Sequence, residues 1–258
     1  MDALVGDTGF VGGNLLRQHD FGARYNSRNI LEIAGRRFSA LVFAGAQGKK
    51  WWANQNPEQD RAGIDVALDA MAGVRADRVM LISTIDVVPP VPGADEGFDC
   101  ASQPNHAYGR NRLHLEAAMR TLFADVTILR LPALTGWNLG KNIVFDLMHD
   151  NGIEKIDPAS RFQFYDLHRL WQDTETSLRA GLSLVHLVTE PVLTSDLVAR
   201  FFPGKSLGQA PAAGSALYDF RSRKAEVFGG AHGYIYDAAE VMRRVGAHVA
   251  AGRAEASP

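Results

Sequence analysis

The chain has 258 residues, 46% hydrophobic and 22% charged, with 27 Lys and Arg against 29 Asp and Glu. That length builds one α/β domain, with or without a small appendage, around its own core, and needs no metal or disulfide staple. A formal net charge of -2 gives no electrostatic footprint for nucleic acid or a membrane surface.

The opening MDALVGDTGF runs into an apolar strand with no basic region ahead of it, so no secretory signal is expected. No segment approaches the roughly 20 apolar residues of a membrane span. The single cysteine, Cys100, has no cysteine partner for a disulfide or a metal site, which fits a reducing, cytoplasmic setting. Eight histidines are scattered without metal-ligand spacing, and no metal is expected.

Residues 3–5 (ALV) predict a short strand, 6–12 a turn and 13–18 (GNLLRQ) the opening of a helix. Residues 23–25 predict a second strand and 30–34 a short helix leading to the apolar strand 40–44 (ALVFA). Pro57 begins a helix predicted through Met71, with Ile64, Ala67, Leu68 and Met71 at helical spacing. The strand 78–83 follows, then a loop rich in Pro, Gly and Asp at 89–105, then a helix over 108–122. Residues 126–131 (VTILRL) form a buried-type strand stopped by Pro132, and 184–188 (LVHLV) the last one. Such alternation predicts a parallel sheet covered by helices on both faces.

A strand, then Gly6, Gly9 and Gly12, then a helix meets the physical requirement for gripping a pyrophosphate. The glycines allow a tight turn and close backbone approach, and the helix start offers amide donors. The predicted architecture is a Rossmann-like doubly wound sheet with a small C-terminal substrate-binding cap. Its dinucleotide-binding core covers 1–136, a cap segment 137–166, a return to the core 167–190, and cap plus C-terminal helix 191–250. Residues 251–258 are expected to be a disordered tail.

The run Gly6-Asp7-Thr8-Gly9-Phe10-Val11-Gly12 resembles the TGxxGxxG motif of the extended short-chain dehydrogenase/reductase family of epimerases, dehydratases and reductases. Ala44-Gly45-Ala46, Ser83-Thr84-Ile85-Asp86, Tyr108-Gly109-Arg110-Asn111-Arg112 and Leu129-Arg130-Leu131-Pro132 resemble its later motifs in the same order. The family's YxxxK reads YxxxR here, with Arg at 112.

The resemblance implies a nicotinamide cofactor lying against Gly6, Thr8, Gly9, Phe10, Val11 and Gly12, then Ala44, Gly45, Ala46, Leu131 and Pro132. It implies that Tyr108 exchanges a proton with the substrate oxygen, with Thr84 bonding that oxygen and Ser83 as its stand-in. A free phenol titrates near ~10, so it needs a neighbouring cation to work at neutral pH. By resemblance Arg112, one helical turn on, would meet the nicotinamide ribose and lower the Tyr108 pKa. Arg is a planar fork rather than a compact ammonium, so the exchange is not neutral. The residues alone also allow Tyr108 as a core-edge aromatic and Arg112 as a solvated charge.

Only about fourteen residues separate the strand ending at Tyr25 from the one starting at Ala40, so one edge strand of the family's sheet is expected to be missing. The run Asn26-Ser27-Arg28 after the second strand holds no carboxylate. Ser27 and Arg28 suit the extra phosphate of NADP, which is favoured over NAD; a solvated Arg28 is the alternative.

Lys49, Lys50, Trp51 and Trp52 follow the strand 40–44 and suit either a sugar or phosphate substrate or packing. Asp86 is read on the same strand face as Thr84, as an auxiliary acid or a structural bond. Asn138, Lys141 and Asn142 are placed near the substrate by resemblance, and Arg169 near a nucleotide. The expected function is an NAD(P)-dependent oxidoreductase, epimerase or dehydratase acting on a nucleotide sugar or related small molecule. The expected assembly is a homodimer through the helices 57–71 and 108–122. The alternative is a catalytically weakened nucleotide-binding regulatory protein.

Overall fold

The computed structural model describes residues 1–212 and 214–255. In chain order the elements begin β1 (Asp2–Val5), α1 (Phe10–Leu15), β2 (Ala23–Tyr25), β3 (Arg37–Phe43), α2 (Lys50–Gln55), α3 (Pro57–Met71) and β4 (Arg75–Thr84). They continue with α4 (Ala107–Leu122), β5 (Val126–Leu131), β6 (Ala133–Thr135), α5 (Ile143–Met148), β7 (Arg161–Phe162) and β8 (Phe164–Asp166). The last are α6 (Leu170–Arg179), β9 (Leu184–His186), β10 (Val192–Leu193), α7 (Thr194–Phe201) and α8 (Ala238–Glu255).

The chain divides into two compact units. The first holds Met1–Pro89, Gly97–Leu131 and His168–Val185; the second holds Pro90–Glu96, Pro132–Leu167 and the chain from His186 onward. The core thus closes at Leu131, where β5 ends and Pro132 can donate no ladder bond, rather than at residue 136. Residues 186–190, predicted in the core, belong to the second unit.

The first unit is built on a six-stranded sheet in the order β2-β1-β3-β4-β5-β9. The pairs β1–β2, β1–β3, β3–β4 and β4–β5 are parallel. Parallel strands need crossovers, which cover both faces of the sheet. Accordingly Ala3 and Val5, Leu41 and Phe43, Val79 and Leu81 share one core with Ile64, Leu68 and Met71 of α3 and Leu115 and Met119 of α4. The alternate residues Leu4, Val42, Met80 and Leu129 are fully buried as well.

Helix α3 carries its apolar residues at i, i+4 and i+7, and Pro57 sits in its first turn, where a missing N–H costs nothing. It packs along α4. Each fully buried aliphatic side chain on this face contributes about 1.5–3 kcal/mol.

Among the described residues no strand lies outside β2. Between β2 and β3 the chain makes a short helix of the 3-10 kind, Ile30–Ile33, where a short helix is predicted at 30–34. The sheet ends at β2 on that side.

In the second unit β6 pairs parallel with β8, and β10 antiparallel with β7. Their core includes Val144, Leu147, Phe164, Leu197 and the α8 stripe Val241, Val245 and Val249. That stripe, and a 2.6 Å bond from Arg253 Nη2 to the Phe201 carbonyl, carry α8 to Glu255. Residues 251–255 are therefore helical rather than a disordered tail, and 256–258 lie outside the described residues. Among the described residues no helix is long and apolar enough to cross a membrane.

Candidate active site

Strand β1 gives way to a turn that only glycine fits at two of its positions. Gly6 has φ +94°, which costs glycine nothing, and its N–H donates to the Tyr25 carbonyl at 2.7 Å. A Cβ on Gly6 would stand 2.4 Å from the Ala44 carbonyl oxygen, and one on Gly12 2.0 Å from the Gly6 carbonyl oxygen. Gly9 is different: its Cβ would meet its nearest atom at 3.3 Å. Thr8 and Gly9 are exposed, and Phe10 and Val11 half-buried.

Helix α1 has only six residues, so the donors offered here are the amides of the turn and first helical residues rather than the end of a long dipole. The turn lies at the switch point of the sheet, where the chain goes from β1 to β2 on one side and returns to β3 on the other. Ala44, Gly45 and Ala46 follow β3, and a Cβ on Gly45 would meet Val5 Cγ1 at 3.0 Å.

Beyond β2 the loop is knitted by Asn26. Its Oδ1 accepts from the Arg28 N–H at 3.0 Å, and its Nδ2 donates to Asp7 Oδ1 at 3.0 Å. Ser27 and Arg28 are exposed. The sequence places no carboxylate at the end of the second strand, yet the glycine turn delivers that of Asp7 to it. Only the folded turn brings the two together.

Strand β4 ends at Thr84, and a 3-10 turn, Ile85–Val87, follows at once. Asp86 is thus set by that turn and not by strand alternation. Its N–H donates to Thr84 Oγ1 at 3.1 Å, and the Thr84 hydroxyl is close enough to the Tyr108 phenol to favour its ionised form. The start of α4 is pressed onto this turn: a Cβ on Gly109 would lie 2.3 Å from the Asp86 carbonyl oxygen. Asn105 Nδ2 donates to the Asp86 and Val87 carbonyls at 2.9 and 3.1 Å. Asn54 Oδ1 accepts the Tyr108 N–H at 2.9 Å, and His106 Nδ1 accepts that of Gly109 at 3.0 Å. These bonds hold Thr84 and Tyr108 in one place.

Arg112 is committed elsewhere than expected. Its Nη2 donates to Asp60 Oδ1 at 2.8 Å and to the Gln47 carbonyl, and its Nη1 donates to Asp60 Oδ2. Both partners are nearly fully buried, and Asn111 Nδ2 adds a bond to Asp60 Oδ2 at 2.8 Å. The guanidinium lies 4.0 Å over the Tyr108 ring. Its charge favours the phenolate, but burial outweighs it and pushes the Tyr108 phenol above its ordinary range. The expected lowering by Arg112 is therefore overcome.

Two further charges attend the site. Lys50 Nζ donates to Asp86 Oδ1 at 2.7 Å, and His106 Nε2 lies 3.9 Å from the same oxygen. Burial, then the charge of Lys50, holds His106 below the usual histidine range. Lys49 and Trp51, expected to meet substrate, are exposed at the start of α2.

Ser83 faces away from Thr84, as alternation requires. Its Oγ donates to Glu116 Oε1 at 2.6 Å, and Arg130 donates to both Glu116 oxygens at 3.0 and 2.6 Å. Ser83 is held in this buried cluster and is not a stand-in for Thr84.

Asn142 is likewise occupied. Its Oδ1 accepts from the Val144 and Phe145 N–H groups to cap α5, and its Nδ2 donates to the Leu134 carbonyl at 2.6 Å. Arg169 pairs with Asp173 at 3.1 Å. Leu131 closes β5 in the first unit, and Pro132 opens a segment of the second.

Sheet order and glycine turn are those of a Rossmann-like fold, and solved structures of nucleotide-sugar reductases and epimerases share it. A dTDP-4-dehydrorhamnose reductase from Yersinia enterocolitica superposes with a TM-score of 0.73 at 13% identity, over 96% of this chain and 98% of that one. MoeE5, solved with UDP-glucuronic acid and NAD, gives 0.75 at 16% identity over 98% and 99%. UDP-glucose 4-epimerase from Thermotoga maritima, solved with UDP-glucose, gives 0.73 at 14% identity over the full length of both chains. Identities this low establish likeness of fold. No protein-family model and no curated protein sequence matches the chain.

Proposed function

We propose that the chain is a nicotinamide-dependent oxidoreductase of the reductase, epimerase or dehydratase kind, acting on a nucleotide-linked sugar or a related small carbonyl or hydroxyl compound. The observation that carries this reading is the Thr84–Tyr108 pair at the carboxyl end of β4. The hydroxyl of Thr84 accepts from the Asp86 N–H at 3.1 Å, and the Tyr108 phenol feels that hydroxyl as a group that favours its ionisation.

The glycine turn fits the cofactor. Gly6 and Gly12 admit no Cβ, so the backbone there can approach a pyrophosphate closely, with Thr8, Gly9, Phe10 and Val11 around it. Ala44, Gly45, Ala46, Leu131 and Pro132 would flank the rest of it, and Ser27 and Arg28 would take the 2'-phosphate of NADP, favoured over NAD. The bound nicotinamide supplies or accepts the hydride.

The chain's own part is proton handling. Tyr108 gives its phenolic proton to the substrate oxygen as a carbonyl is reduced, or takes one back in oxidation, while Thr84 orients that oxygen. A protonated phenol is the form needed for reduction, and burial keeps it so. Lys49 and Trp51, both exposed, would reach the sugar or diphosphate. Pairing of α3 and α4 with a second copy into a homodimer is part of the proposal; sedimentation giving only monomer at micromolar concentration would count against it.

One observation favours a second reading, a nucleotide-binding regulatory protein with weakened catalysis. Asp60 neutralises Arg112, and the Tyr108 phenol is raised rather than lowered. Cofactor fluorescence titration followed by single-turnover transfer against a panel of dTDP- and UDP-linked sugars separates the two. Transfer supports the enzyme, and tight binding without transfer supports the regulator.

A further inference from the structure

The cation one turn beyond Tyr108 cannot serve as a mobile partner of its phenol. Arg112 is buried and held by both oxygens of Asp60, and the carbonyls of Gln47 and Tyr108 accept from the same two nitrogens. A guanidinium also cannot release a proton in a protein. Any charge that responds to ionisation of the phenol must come from elsewhere in the first unit.

The charged and titratable groups facing Tyr108 are few. Arg112 comes from α4 itself, Asp86 from the turn after β4, and Lys50 from the start of α2. His106, at the head of α4, has its ring centre 6.1 Å from that of Tyr108. Of these, Lys50 differs in kind. It carries a compact ammonium on a flexible stem, its side chain is 36% exposed, and it donates to Asp86 Oδ1 at 2.7 Å. Asp86 is in turn fastened to Thr84 Oγ1 through its own N–H. The ammonium is therefore stored on the turn whose Asp86 carbonyl presses against Gly109, the residue after Tyr108.

We propose that Lys50 is the positioning cation for Tyr108 in this chain, stored on Asp86 and drawn to the phenol oxygen as that oxygen gives up its proton. The inference rests on Tyr108 being the proton donor. The bond broken is the phenolic O–H, its proton goes to the substrate oxygen, and the negative charge left behind is met by the Lys50 ammonium without further transfer. Asp86 works against ionisation in two ways, by its own charge and by holding Lys50.

The test is a pH titration of the Tyr108 phenol in the full-length protein, followed by NMR of protein labelled with [ζ-13C]tyrosine. The Tyr108→Phe variant assigns the signal. Asp86→Asn is expected to lower the Tyr108 midpoint by about one unit or more, the shift a nearby cation produces. Adding Lys50→Met to that variant returns the midpoint to the wild-type value or above it, and Lys50→Arg in the same place keeps most of the lowering.

Equal midpoints in Asp86→Asn with and without Lys50→Met would overturn the proposal. This readout needs neither cofactor nor substrate. A Lys50-dependent titration without hydride transfer would sink the enzymatic reading alone, and transfer with a Lys50-independent titration would sink this inference alone.

Discussion

Asp60 and Arg112, fifty-two positions apart, close a buried ion pair in which Nη2 meets Oδ1 at 2.8 Å while the guanidinium covers the Tyr108 ring at 4.0 Å. Helix α3 supplies the acid and α4 the base, so the pair ties these two helices together. Asp60→Ala leaves a buried cation without its carboxylate and is expected to cost about 3–5 kcal/mol, read by equilibrium urea unfolding. The double variant Asp60→Leu with Arg112→Met removes both charges and recovers most of that loss. A single-variant cost below about 1 kcal/mol would show the pair to be solvated.

The two kinds of glycine in the first turn should separate stability from binding. Gly12→Ala drives a Cβ to 2.0 Å from the Gly6 carbonyl oxygen, a backbone clash expected to cost more than the usual ~1–3 kcal/mol of overpacking. Gly9→Ala meets nothing closer than 3.3 Å and should melt within a few degrees of wild type. Its added methyl stands on the exposed rim of the turn, so cofactor affinity falls about tenfold or more, equivalent to ~1.4 kcal/mol. Thermal melts and NADPH fluorescence titrations on the two variants check the contrast.

On the proposed reading, opposing charges at the end of β2 set the cofactor choice. Arg28 is exposed there, and Asp7 reaches Asn26 at 3.0 Å. Arg28→Ala should weaken NADPH by roughly 10- to 100-fold, the worth of a charge-assisted hydrogen bond of about 1.5–3 kcal/mol, and leave NADH nearly unchanged. Asp7→Asn removes a negative charge and should tighten NADPH. Equal losses for both cofactors in Arg28→Ala would contradict an NADP preference.

His106 predicts a pH dependence. Its Nδ1 accepts the Gly109 N–H at 3.0 Å, which only the unprotonated nitrogen can do, and burial holds its pKa below the usual range. As pH falls below about 6.5 the unfolded chain takes up this proton first. The stability contributed by the cap is therefore full above that value and lost as pH falls through the lower folded-state value. Urea midpoints at pH 7.5 and 5.5 should differ more in wild type than in His106→Asn, which keeps an acceptor at the cap without the titration.

Much of the fold is legible where local pattern and packing agree. Pro57 and the i, i+4, i+7 spacing mark both ends of α3, and Pro132 stops β5 where the apolar run ends. Helix α6 is harder to read because part of its buried face is polar: Thr174 and Ser177 are buried while bonding back to the Leu170 and Asp173 carbonyls at 2.7 and 2.8 Å. Helix α2, with Lys50, is one short turn-rich segment with no period to read.

At the site, the residues that the motifs name are those the backbone sets directly, Gly6, Gly12, Thr84 and Tyr108. What the sequence does not disclose are partners brought in by folding. Asp60 for Arg112, Glu116 for Ser83 and Asp7 for Asn26 each join elements distant in the chain. Gly109 is the one unread local signal, a glycine in a helix start that marks the close approach of the Asp86 carbonyl.

The central claim is that Tyr108 is the proton donor for hydride transfer, and single-turnover NADPH oxidation tests it most directly. Wild type and Tyr108→Phe would be compared on the same dTDP- and UDP-linked sugars after fluorescence titration shows that both bind NADPH equally. Loss of the proton donor should slow transfer by about 10²- to 10⁴-fold with cofactor affinity unchanged. Transfer by Tyr108→Phe at the wild-type rate would contradict the account.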